Sequence, residues 1–142
     1  MKILVPLDGS QTAEAAIPVA LRLAGEAKSS IMLVTVANIR VSQEPAPAEP
    51  AIAPVQDAHA YLETARSHLA GGSAQVATAV WSGSPAAAIV KAAQTYGVDT
   101  IVMTTHGRTG RQHDMFGSVA DAVLRNAPIP VLVLRPHPRP TS

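Results

Sequence analysis

Cysteine is absent from the 142-residue sequence, which excludes a disulfide framework, a thiol nucleophile and any Cys-based metal centre. Aromatic residues make up only 3%. With 47% of residues hydrophobic and alanine abundant, the core has to be built from Ala, Val, Ile and Leu, a composition suited to thin helices packed closely on a sheet. Excess charge is also missing: 11 Lys and Arg face 10 Asp and Glu, a net charge of +1, with no block of five like charges. Non-specific nucleic-acid binding needs a basic stripe, so the charge pattern argues against nucleic acid as a partner. No apolar run approaches the roughly 18 residues of a membrane-spanning helix. The N-terminus runs straight into a strand pattern instead of a signal peptide. The expectation is a soluble, cytoplasmic protein with no membrane partner. Residues 1–142 should form a single domain, a size that buries about 68–70% of its unfolded surface.

What is present alternates. Lys2 to Val5, ending at Pro6, reads as a central parallel strand, because such strands are continuously apolar. A helix is expected from about Gln11 to Gly25, with Ser10 as N-cap and Ala13, Ile17, Ala20, Leu21 and Ala24 at helical spacing. Pro18 inside it predicts a kink or a lost hydrogen bond. Ser30 to Ala37 is a second strand. Residues 39–54 carry Pro45, Pro47, Pro50 and Pro54 and read as an extended surface loop on the ligand edge, either a lid or a variable loop with no role. Val55 to Leu69 is the next helix, stopped by Gly71-Gly72. Its His59 and His68 are nine positions apart, about 180° round a helix, and cannot share a metal on it. Ala74 to Trp81 alternates like an edge strand. Ser84-Pro85 opens a third helix that Gly97 closes. Strands alternating with helices imply a parallel α/β sheet, doubly wound with helices on both faces.

The stretch from Val98 to Val133 carries the chemistry. A β-branched run, Val98 to Met103, is followed by a Gly-rich segment, Thr104 to Gly117. Ser118 then opens a helix that continues through Val119 to Asn126, with Asp121 placed as in a capping box. Strand, glycine loop, helix N-terminus is an arrangement that suits an anion. Glycines let backbone N–H groups approach it, and the helix presents free donors and the positive end of its dipole. Neither a P-loop nor a G-x-G-x-x-G pattern is present, so the glycine spacing alone fits a simple turn as well as a phosphate site. Arg108, Arg111 and Thr109 are placed to reach phosphates, or to be solvated surface groups. Asp8, at the carboxyl end of the first strand, either lines a ligand crevice or makes a turn.

Gly107, nine residues, then Gly117-Ser118, an Ala-Val-Leu helix and the run PIPVLVLRP resemble the universal stress protein family, as do the opening residues ILVPLDGS and the overall length. ATP-binding members of that family carry Gly-x2-Gly-x9-Gly-Ser/Thr. Here Thr104 stands where the first glycine belongs, and Gln112-His113-Asp114 is more polar than the family's leucine-rich run. The resemblance implies a five-stranded, Rossmann-like sheet of order 3-2-1-4-5. Its chain direction reverses between strands one and four, and a ligand belongs at that switch point. It also implies ATP, with Mg²⁺, held by Pro6, Asp8, Val36, Thr104, Gly107, Arg108, Thr109, Gly110, Gly117, Ser118 and Val119, with Val36 against adenine. By itself Val36 is an ordinary core valine. A homodimer through the last strand, Pro130 to Leu134, is implied too, since an exposed apolar edge invites a partner strand. The tail, residues 135–142, should be extended.

No catalytic residue or metal site stands out. Asp8 and His106 are the only base candidates near the phosphates, His106 and His113 lie seven apart in the loop, and no nucleophile elbow exists. Binding is therefore favoured over turnover, with slow ATP hydrolysis left open. The leading expectation is an ATP-binding stress-response sensor or regulator. The alternative is a universal stress protein that binds no nucleotide and works through protein partners. An adenylyl-transferring ATP pyrophosphatase ranks last, because Leu7-Asp8-Gly9-Ser10 is not its Ser-Gly-Gly-rich loop.

Overall fold

The apolar, β-branched runs form five parallel strands, and the alanine-rich segments between them form the helices that cover both faces. In the computed structural model, residues 1–8, 11–25, 29–37, 52–67, 69, 75–104 and 118–135 are described, with residues 11, 12, 52–56 and 118 described by backbone alone. The chain runs β1 (Lys2–Leu7), α1 (Gln11–Glu14), α2 (Ala16–Ala24), β2 (Ser30–Ala37), α3 (Ile52–Ser67), β3 (Gln75–Ser82), α4 (Pro85–Tyr96), β4 (Thr100–Thr104), α5 (Ser118–Asn126) and β5 (Val131–Leu134). The sheet order is β3-β2-β1-β4-β5, and all four strand pairings are parallel. The expected doubly wound topology is therefore the one adopted, with β3 and β5 at the edges.

Strand periodicity divides the core in two. On one face Ile3, Val5, Leu7, Ile31, Leu33 and Val102 pack against Ala13, Ala16, Ala20 and Ala24 of α1 and α2 and Leu62 and Ala65 of α3. On the other, Leu4, Val34, Ile101 and Met103 meet Ile89, Ala92 and Ala93 of α4 and Ala120 and Val123 of α5. Ala16 and Ala20 are completely buried, so α2 lies close against the sheet, with Ile17, Val19 and Leu21 packed at the margins of the same core.

Several boundaries differ from the sequence expectation, and proline bears on two of them. The first helix is divided at Ala15, three residues before Pro18. The proline has no N–H to offer the carbonyl of Glu14, so one helical bond across the break cannot form. The Pro-rich loop expected over 39–54 ends earlier, because α3 already begins at Ile52. Pro54 then falls in the first helical turn, where a missing N–H costs nothing. The closing signals behave as expected. Gly25 (φ 67) ends α2, its N–H donating to the Leu21 carbonyl at 3.3 Å. Gly97, left-handed at φ 66 and ψ 39, ends α4. Trp81 and Tyr96 meet edge to face at 6.0 Å, with Trp81 Nε1 donating to the Tyr96 hydroxyl at 2.9 Å.

Candidate functional site at the carboxyl ends of β1 and β4

One ladder beside β1 stops before the other. β1 remains paired with β2 to its last residue, Leu7↔Thr35. With β4 it pairs only at Ile3↔Thr100 and Leu4↔Ile101. Pro6 lacks an N–H and cannot donate to a ladder. The carboxyl ends of β1 and β4 are thus unpaired with each other at the point where the sheet reverses its winding, the position at which open α/β sheets take ligands.

Pro6 shares the face of Leu4 by strand alternation. One residue beyond the Leu7↔Thr35 pair come half-buried Asp8 and, on β2, Val36. Val36 packs in the α4/α5-side core, as does Val119 of the first turn of α5. The structure therefore gathers Pro6, Val36 and Val119 on the α4/α5 side of the sheet, with Asp8 at the strand end beside them. Thr104 sits differently. It is the last residue of β4, paired with Leu134, and shares the face of Val102, so its side chain enters the α1/α2-side core with 7% of its surface exposed. Extended backbone of this kind favours a β-branched residue. No positive φ demands a glycine there, and the added side chain points away from Val36 and Val119.

Gly107, Arg108, Thr109, Gly110 and Gly117 lie outside the described residues, as do Arg111, His106, His113, His68 and the N-cap Ser10. Ser118 is the first residue of α5, with only its backbone described. Asp121, the anticipated capping carboxylate, accepts from Arg125 Nε, 2.9 Å away and one turn onward. His59 is exposed on α3. Among the described residues no group of three or more His, Cys, Asp or Glu is arranged to hold a metal ion.

Sequence reasoning missed Thr35. With Ile31 and Leu33 it occupies the α1/α2-side face of β2 and is only 9% exposed. The hydroxyls of Thr35 and Thr104 are buried without a hydrogen-bond partner among the described residues. A threonine at the core-facing position of an apolar run, as in Ile31-x-Leu33-x-Thr35, was the available signal.

A doubly wound parallel sheet, open between strands one and four at its switch point, defines the Rossmann-like α/β class. The universal stress protein family model matches residues 1–135, and the chain belongs to that family. It is similar to universal stress protein MJ0577 of Methanocaldococcus jannaschii, at 30% identity over 94% of each chain. A solved structure of MJ0577 superposes with a TM-score of 0.81 at 27% identity, covering 96% of each chain. A universal stress protein structure from Burkholderia pseudomallei is 30% identical, with a TM-score of 0.75 over 94% of each chain. The same fold, at 22% identity and a TM-score of 0.70 over 94% of this chain and 96% of the other, is found in an Archaeoglobus fulgidus universal stress protein in complex with dAMP.

Proposed function

We propose that this universal stress protein binds an adenine nucleotide, ATP together with Mg²⁺, between the end of β1 and the glycine segment after β4, and acts as a cytoplasmic stress-response regulator. The observation that carries the reading is the early end of the β1–β4 ladder at Leu4↔Ile101. A crevice at this switch point would have Asp8 at the end of β1 on one side and would be reached by the Gly-rich segment that follows β4 in sequence. Val36 and Val119 offer an apolar wall for a base on one side of that crevice. Gly107, Gly110, Gly117 and Ser118 would supply backbone donors to phosphates, with the dipole of α5 behind them. Arg108 and Thr109 would complete the phosphate contacts. Mg²⁺ held with the phosphates would need few protein ligands, and Asp8, half-buried just beyond β1, would offer a carboxylate. The dAMP-bound relative illustrates a nucleotide on this fold, and at its identity speaks for the fold alone.

A second reading, a universal stress protein acting only through protein partners, is favoured by β5. It is a sheet edge, with Leu132 38% exposed. In the nucleotide reading the same edge joins two copies of the chain through residues 130–134.

Calorimetric titration of Mg²⁺-ATP into the protein and into a Gly117→Val variant tests the proposal. Micromolar binding of the parent chain, about −8 kcal/mol, lost in the variant, is the expected result. Absence of binding by nucleotide-free parent protein overturns it in favour of the partner reading.

A further inference from the structure

α1 stands apart from the helix that follows it. It is a single turn of four residues, too short to hold itself together without tertiary support. Ala15 separates it from α2, and Pro18 withholds the donor that would have tied the Glu14 carbonyl into a continuous helix. It packs on the ends of β1 and β4, with Ala13 buried in the same core as Leu7. Leu7 pairs with the buried Thr35 of β2, and β4, the neighbour of β1 on its other side, ends in the buried Thr104. The Thr104 hydroxyl has no partner among the described residues. The last residue of α1 is fastened from across the face: the Tyr61 hydroxyl of α3 donates to Glu14 Oε2 at 2.6 Å in a partly buried setting.

We propose that α1 is a flap that opens from the carboxyl ends of β1 and β4 while the sheet stays folded, hinged at Ala15 and latched by the Tyr61–Glu14 hydrogen bond. Two opposed effects set its balance. Closing buries Ala13 against Leu7 and makes a charge-assisted hydrogen bond, which is stronger than a neutral one. Closing also keeps the Thr104 hydroxyl dry, and a buried polar group without a partner is unfavourable. Opening admits water to that hydroxyl, so the seat itself lowers the free energy of opening. Asp8 lies in the connection between β1 and α1, so the flap couples the β1 end of the crevice to α3. This is a property of the free protein and does not rest on the nucleotide reading.

The absence of cysteine makes a direct test possible. Ala13→Cys and Ala20→Cys each place a lone thiol in a buried site, one beneath α1 and one beneath α2. Labelling by an aromatic disulfide reagent in native buffer then reports how often each site opens. The expected result is labelling at position 13 at least about tenfold faster than at position 20. Adding Tyr61→Phe should raise the rate at position 13 by roughly tenfold, the usual effect of losing a hydrogen bond to a charged group. Adding Thr104→Val should lower it several-fold. Neither change should alter the ratio of the position-20 rate to the rate of global unfolding measured in urea on the same variants. Equal labelling at both positions, tracking global unfolding, overturns the proposal. So does a Tyr61→Phe effect that moves both thiols together.

Discussion

Replacing Thr104 by valine should stabilise this protein. The two side chains have nearly the same shape and share a preference for extended backbone, which Thr104 adopts as the last residue of β4. The substitution therefore exchanges one hydroxyl for one methyl in a site that is 7% exposed. Such an exchange is usually unfavourable because it orphans a partner. Here the hydroxyl has no partner among the described residues to orphan. Removing an unsatisfied buried polar group recovers about 1–3 kcal/mol, and the new methyl adds apolar burial worth up to about 0.8 kcal/mol. A gain of roughly 2 kcal/mol, with a urea m-value of about 2 kcal/mol/M, moves the midpoint upward by about 1 M. Urea unfolding followed by far-UV circular dichroism measures this, with an unchanged m-value as the control that compactness is the same. A loss of more than about 1 kcal/mol would refute the reasoning, because it would mean that the hydroxyl is engaged in the native protein. The comparison variant, Thr104→Gly, should be destabilised by about 1 kcal/mol or more, since glycine loses strand propensity and gains unfolded-state entropy. Its nucleotide affinity should match that of the parent, because the Thr104 side chain faces away from Val36 and Val119.

Three further outcomes follow from the same packing. Leu62→Ala removes a completely buried side chain where α3 meets the sheet, and should cost about 3 kcal/mol in urea unfolding. Gly97→Ala should cost about 1 kcal/mol. A Cβ there meets nothing within 4 Å, so the whole effect is the left-handed backbone at φ 66, and Gly97→Asn should recover part of it. Asp121→Asn breaks the ion pair with Arg125, whose side chains are 47% and 74% exposed. The thermal midpoint should shift by less than about 2 °C, because exposed i,i+4 pairs contribute only about 0.3–0.5 kcal/mol.

The alternation of β-branched runs with alanine-rich segments was enough to specify the element order and the parallel sheet, because each period admits one kind of element and each strand must be covered on both faces. Local chemistry likewise set the ends of elements. Gly25 and Gly97 stop their helices because only glycine takes those dihedral angles without strain, and Pro85 starts one because its missing N–H is not needed there. Pro18 announced a break, but its position at Ala15 depended on how Ala13 and Ala16 seat on the sheet. The side chains of the site were decided by tertiary structure. Asp8, Val36 and Thr104 could be named from the sequence, but which face each serves follows from strand register, and register is fixed by packing between segments far apart in the chain. The early end of the β1–β4 ladder, and the burial of two threonine hydroxyls without a partner among the described residues, depend on neighbours that no local pattern specifies. The bond from Tyr61 to Glu14 spans 47 residues, and only the docking of α3 beside α1 brings its two ends together.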